Sequence, residues 1–135
     1  MIDQAASPTA AYIHVPFCAH RCGYCDFTLV AGKDHLVGDY LRALEIELRS
    51  LGRPQSVHTL FVGGGTPTHL TGGELDRLLA LVRDWFQLAP GFEFSVEANP
   101  AGLDPDKIGI LAAHGVNRVS LGVQSFDKTK THGTK

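Results

Sequence analysis

The chain has few thiols. Its 135 residues hold three cysteines, all inside the stretch HVPFCAHRCGYCDF, residues 14–27. An odd number excludes complete pairing into disulfides. No apolar run approaches the roughly 18 residues that a membrane-spanning helix needs. The opening MIDQAASPTA has neither the positive start nor the apolar stretch of a secretory signal. A cytoplasmic location is therefore the expectation, and there thiols stay reduced. Neither sign of charge dominates: 12 basic against 14 acidic residues leave a net charge of -2, with no basic block or acidic tail. That makes nucleic acid and anionic membrane surfaces poor partners. Tandem repeats and low-complexity segments are also missing. The glycine run Gly63-Gly64-Gly65 lacks the Lys-Ser/Thr pair of a phosphate-binding loop.

What is present suits one small α/β domain. With 44% hydrophobic and 19% charged residues the chain can bury a core. AYIHVP (11–16) reads as a strand ended by Pro16. GDYLRALEIELRSLG (38–52) reads as a helix with Leu41, Leu44, Leu48 and Leu51 on one face, Asp39 as its cap, and Gly52 with Pro54 as its stop. VHTLFVGG (57–64) is a second strand. Thr71 with Glu74 is a capping-box signature, and the helix behind it sets Leu75, Leu78, Leu79, Val82 and Phe86 on one face. FEFSVEA (92–98) alternates as a third strand. Asp104 and Pro105 open a helix with Ile108 and Leu111 inward and Gly115 at its end. NRVSLGV (117–123) is a fourth strand. The order β-α-β-α-β-α-β predicts right-handed βαβ units and a parallel sheet; an open doubly wound sheet and part of a barrel both fit it.

The unusual residues gather just past the strand ends. After the first strand come Cys18, Cys22 and Cys25. After the second come Gly63 to Gly65, Thr66 and Pro67. Glu97, Asn99 and Pro100 end the third, and Gln124 and Ser125 the fourth. In parallel α/β folds this edge is the ligand face. The glycines are expected to let a ligand approach the backbone and its N–H donors. Glu97 lies between Val96 and Ala98, a covered position where a carboxylate needs a donor. His14 reads as a core histidine with local hydrogen bonds rather than a ligand; His20 is the histidine placed to act as a fourth ligand. Tyr24 and Phe27 either pack the cysteine loop or wall it from solvent.

The thiols fit two metal chemistries. A Cys3His zinc module is one. The tight spacing C-x3-C-x2-C favours the other, an iron–sulfur cluster, which normally takes four thiolates. Three would leave one iron of a [4Fe–4S] cluster open to a ligand that is not protein.

Cys18-x3-Cys22-x2-Cys25 after a first strand resembles the radical S-adenosylmethionine (SAM) superfamily. YIHVPFC, GGGTPT, EANP and GVQSF in this order resemble its coproporphyrinogen oxidase and HemW branch, from Tyr12 to Phe126. The resemblance implies an α/β fold, a parallel-sheet partial TIM-type (β/α)6 barrel, present here as about four strands and three helices. Residues 1–10 would be a flexible N-terminus, 11–127 the N-terminal portion of the barrel, and 128–135 a disordered tail. It implies that Cys18, Cys22 and Cys25 hold a [4Fe–4S] cluster whose open iron chelates SAM, which one-electron reduction cleaves to methionine and a 5′-deoxyadenosyl radical. Tyr12, Gly64 and Glu97 resemble residues contacting that SAM; Tyr24, Gly65, Thr66 and Gln124 resemble those near a second SAM in the oxidases. The oxidases carry a further cysteine where this chain has Phe27, so the resemblance leans to the haem-binding, chaperone-type relatives. A coproporphyrinogen dehydrogenase-type oxidoreductase is the alternative. Haem or porphyrinogen and an electron donor are the implied partners.

Overall fold

A computed structural model of the chain describes residues 9–18 and 30–122. Its elements are β1 (Ala10–Val15), β2 (Phe17–Cys18), β3 (Val30–Ala31), α1 (Val37–Arg49), β4 (Gln55–Gly64), α2 (Gly72–Trp85), β5 (Phe86–Ala98), α3 (Pro105–Ala113) and β6 (Arg118–Leu121). The expected alternation is therefore present, with one addition, the two-residue pair β2–β3.

Four strands form one sheet in the order β1-β4-β5-β6, and every pairing is parallel. Period-two alternation gives this sheet two unlike faces. One carries the cross-strand row Ile13–Val62–Val96–Val119 and the pair Leu60–Phe94. Leu60, Val62, Phe94 and Val96 are completely buried there, in one cluster with Leu41 and Leu48 of α1, Leu75, Leu78, Leu79 and Val82 of α2, and Leu111 of α3. The other face carries Tyr12–Phe61–Ser95–Arg118, with His14 beside Gly63 and Glu97 beside Ser120 one step further along. It is aromatic and polar.

Local chemistry sets the helix starts. Thr71 accepts from the Glu74 N–H while the Glu74 carboxylate accepts from the Thr71 N–H, closing the capping box. Asp104 accepts from Lys107 N at 2.9 Å, with Pro105 at the first helical position. Asp39 does not cap α1. A 3-10 turn, Asp34–Leu36, feeds straight into the helix, so Asp39 falls inside its first turn and pairs with Arg42 instead.

Three apolar assignments change. Leu51 is 42% exposed because α1 ends at Arg49 and Gly52 (φ 82°) turns the chain away. Ile108 is 51% exposed, and Ile110 packs beside Leu111 in its stead. Phe86 is buried but extended, as the first residue of β5, six residues ahead of the expected strand start. β5 pairs with β4 twice, at Phe86–Leu88 and again from Glu93, so Ala89 to Phe92 bulge out against the single residue His58.

Candidate functional site

At the C-terminal end of the sheet the β1–β4 ladder runs on past its last strand residues. Gly65 N donates to Val15 O at 2.6 Å, and Thr66 N donates to Phe17 O at 2.8 Å. The glycine loop is thereby stitched to the strand pair that leads into Cys18, which is 5% exposed. The pair β2–β3 sets Cys18 opposite Ala31, fixing both flanks of the segment 19–29.

Each glycine of the run is required by what lies against it. A Cβ on Gly63 would enter the Glu97 carboxylate, and one on Gly64 would enter the His14 ring. Gly64 also has φ 107°, a conformation that side-chain-bearing residues avoid. A Cβ on Gly65 would stand 2.5 Å from Phe17 O and 2.7 Å from Val15 O.

The donors of this loop are already engaged. Gly64 N donates to Glu97 Oε1 at 2.6 Å, and the next two amides bond to β1 and β2 as above. The expectation that the loop offers free N–H groups is thus corrected: what the glycines provide is the close approach of Glu97, His14 and the Val15 and Phe17 carbonyls. The acceptor is Glu97, half-buried on β5. An ionised carboxylate has about four lone-pair sites, so beyond the Gly64 bond it can accept from a cationic ligand.

Tyr12 stacks on Phe61 with ring centroids 5.7 Å apart and is 54% exposed. Burial, then the charge of Glu97, push its phenol pKa up. His14 is half-buried, backs Gly64, and lies on the polar face, not in the apolar core where the sequence reading put it. Its carbonyl accepts from Tyr40 OH at 2.6 Å, which joins α1 to the edge of the sheet. Burial first, then Glu47 and Tyr12, raise the Tyr40 phenol pKa. Asn99 has a local duty: its side chain accepts from Ala101 N, capping the 3-10 turn Pro100–Gly102.

Of the expected site residues, Cys18, Gly64, Gly65, Thr66 and Glu97 meet at this edge, and Tyr12 lies on the same face of the sheet one row below. Cys22, Cys25, Tyr24 and Gln124, with His20, Phe27 and Ser125, fall outside the described residues. Phe61, His14 and Tyr40 were not expected here. Phe61 and His14 share strand parity with Gly63 and Tyr12, a signal that pairing the strands in register would have exposed.

A family model described as the radical SAM superfamily matches residues 12–134. The chain is 42% identical over 120 residues to the heme chaperone HemW of Lactococcus lactis, covering 89% of this chain and 31% of that protein. It is 39% identical over 127 residues to HemW of Escherichia coli, covering 91% and 34%. Against the oxygen-independent coproporphyrinogen III oxidase of Salmonella typhimurium it is 38% identical over 125 residues, covering 90% and 27%. Among solved structures it resembles coproporphyrinogen III oxidase (HemN) from Escherichia coli, described as a radical SAM enzyme, with TM-score 0.81 and 35% identity over 95% of this chain and 30% of that one. The chain spans about a third of the length of the curated relatives it matches.

Proposed function

The chain belongs to the radical SAM superfamily, and from that premise we propose that it is the cluster- and SAM-binding part of a HemW-type haem chaperone, with residues 11–127 as the N-terminal portion of the barrel. In this reading Cys18, Cys22 and Cys25 supply three thiolates to a [4Fe–4S] cluster, and SAM completes the coordination of the fourth iron. When bound, that pair supplies one-electron reductive cleavage of a sulfonium.

One observation carries the reading: a buried cysteine, a side-chain-free glycine cradle and a carboxylate converge on one end of a parallel sheet. The residues fit the group. The three glycines let Glu97, His14 and the carbonyls of Val15 and Phe17 close up against the loop, where any Cβ would push them away. Glu97 accepts from the ammonium of SAM while its bond to Gly64 N holds the carboxylate oriented. Tyr12, backed by Phe61, offers an aromatic flank. Tyr24, Gly65, Thr66 and Gln124 are the residues proposed near a second SAM.

The haem part of the proposal is supported by the names of the relatives and by Phe27, which stands where the oxidases carry a further cysteine. Oxidative decarboxylation of coproporphyrinogen III is the second reading, favoured by the oxidase relatives. Anaerobic reconstitution tests the core of the proposal, with about four irons and four sulfides per chain expected and iron uptake lost in Cys22→Ala. Retention of zinc with no iron would overturn it in favour of a structural zinc module. Haem titration against porphyrinogen turnover then divides chaperone from oxidase.

A further inference from the structure

We propose that the His69–Asp34 pair is a positioning device that keeps the glycine loop and the β2–β3 pair bearing Cys18 at a fixed separation. The proposal rests on the functional reading above. His69 closes the 3-10 turn Pro67–His69, immediately beyond Thr66; Asp34 opens the turn Asp34–Leu36, three residues beyond Ala31. His69 Nε2 and Asp34 Oδ1 are 2.9 Å apart. An ionised carboxylate only accepts, so Nε2 carries the donated proton.

This bond completes a circuit. Thr66 N is held by Phe17 O. Phe17 continues into Cys18, which pairs with Ala31 across β2–β3. From Ala31 the chain runs through Gly32 (φ 70°) to Asp34, and the side-chain pair returns it to the glycine loop. Two links of the circuit are backbone pairings; the third is His69–Asp34, between residues 35 apart in sequence. A ligand that must touch both the cysteine-held group and the glycine loop depends on their separation, and misplacement by about 1 Å is costly to such a ligand.

The fold contains its own control. His114 and Asp76 form the same kind of pair at 2.8 Å, with the histidine 18% and the aspartate 61% exposed, against 23% and 64% for His69 and Asp34. It joins α2 to the end of α3 and belongs to neither loop. Four variants of the full chain, H69A, D34A, D34N and H114A, are reconstituted anaerobically and titrated with SAM, following the spectrum of the reduced cluster. H69A and D34A are expected to keep the iron content of the wild type but to bind SAM about tenfold more weakly. D34N retains an acceptor for Nε2–H and restores binding. H114A lowers the melting temperature about as much as H69A and leaves SAM affinity unchanged. Wild-type SAM affinity in H69A and D34A, or equal weakening in H114A, would overturn the proposal. Amide exchange on the unloaded protein reads it independently of any cofactor: the Gly65 and Thr66 amides exchange faster in H69A and not in H114A, and unchanged exchange overturns it. A wild type that takes up no iron defeats the functional reading alone, since the amide readout still stands.

Discussion

A methyl group at position 63 would enter the space of the Glu97 carboxylate and come within 2.7 Å of Phe61 Cε1. Overpacking of this kind costs about 1–3 kcal/mol, so Gly63→Ala is expected to lower the urea midpoint and to weaken SAM binding together; an unchanged midpoint would show that the carboxylate yields freely. Tyr40 makes a different prediction, in pH. Its phenol is raised above the ordinary tyrosine value of 10.0, by burial first and then by Glu47 and Tyr12. The folded chain therefore keeps a proton that the unfolded chain releases near that value. The stabilisation is complete below about pH 10 and is lost as pH rises above it. Tyr40→Phe should flatten the fall in melting temperature above about pH 10, and a fall as steep as that of the wild type would contradict the assignment. The glycines and Glu97 were legible in the sequence because glycine runs and carboxylates at strand ends are rare and local. Tyr40 was not, because its bond to His14 O joins residues 26 apart and looks in sequence like any helical tyrosine.

At the scale of the elements, capping chemistry was read correctly where a complete signature existed. Thr71 with Glu74, and Asp104 with Pro105, both start their helices as expected. Asp39 lacked any such partner pattern, and a preceding 3-10 turn took over its role. Thr71→Ala should cost about 1 kcal/mol, read as a lower thermal midpoint, with Asp104→Ala similar. Gly109 lies inside α3 with nothing within 4 Å of a built Cβ. Gly109→Ala should therefore stabilise by about 0.5–1 kcal/mol; destabilisation would mean that α3 is more tightly packed than its open surface indicates. The face of α3 was misjudged by two residues, Ile108 for Ile110, because a nine-residue helix offers too few turns to fix the phase of its apolar stripe. The pair β2–β3 was invisible for a related reason: two residues carry no period.

For the whole molecule, the parallel order, and with it the placing of Cys18, Gly63 to Gly65 and Glu97 at one sheet edge, followed from the alternation of periods. The two-faced character of the sheet did not, since it needs the cross-strand register. Among the described residues β6 is the outer strand opposite β1, and Val119 and Leu121 on it are 38% and 50% exposed. An uncovered apolar edge strand invites pairing with other chains. Replacing both residues by Lys should reduce concentration-dependent light scattering, and undiminished scattering would place the association elsewhere. The bulge from Ala89 to Phe92 stands at the opposite pole, between two paired stretches near the strand beginnings. β5 leaves its neighbour there and rejoins it in a shifted register, Val57 facing Leu88 and Thr59 facing Glu93, so the excursion lies outside the ladder. An affinity tag or a fluorophore-bearing peptide grafted between Pro90 and Gly91 would let the chain be anchored to a surface with its Cys18 and glycine-loop end facing the solution.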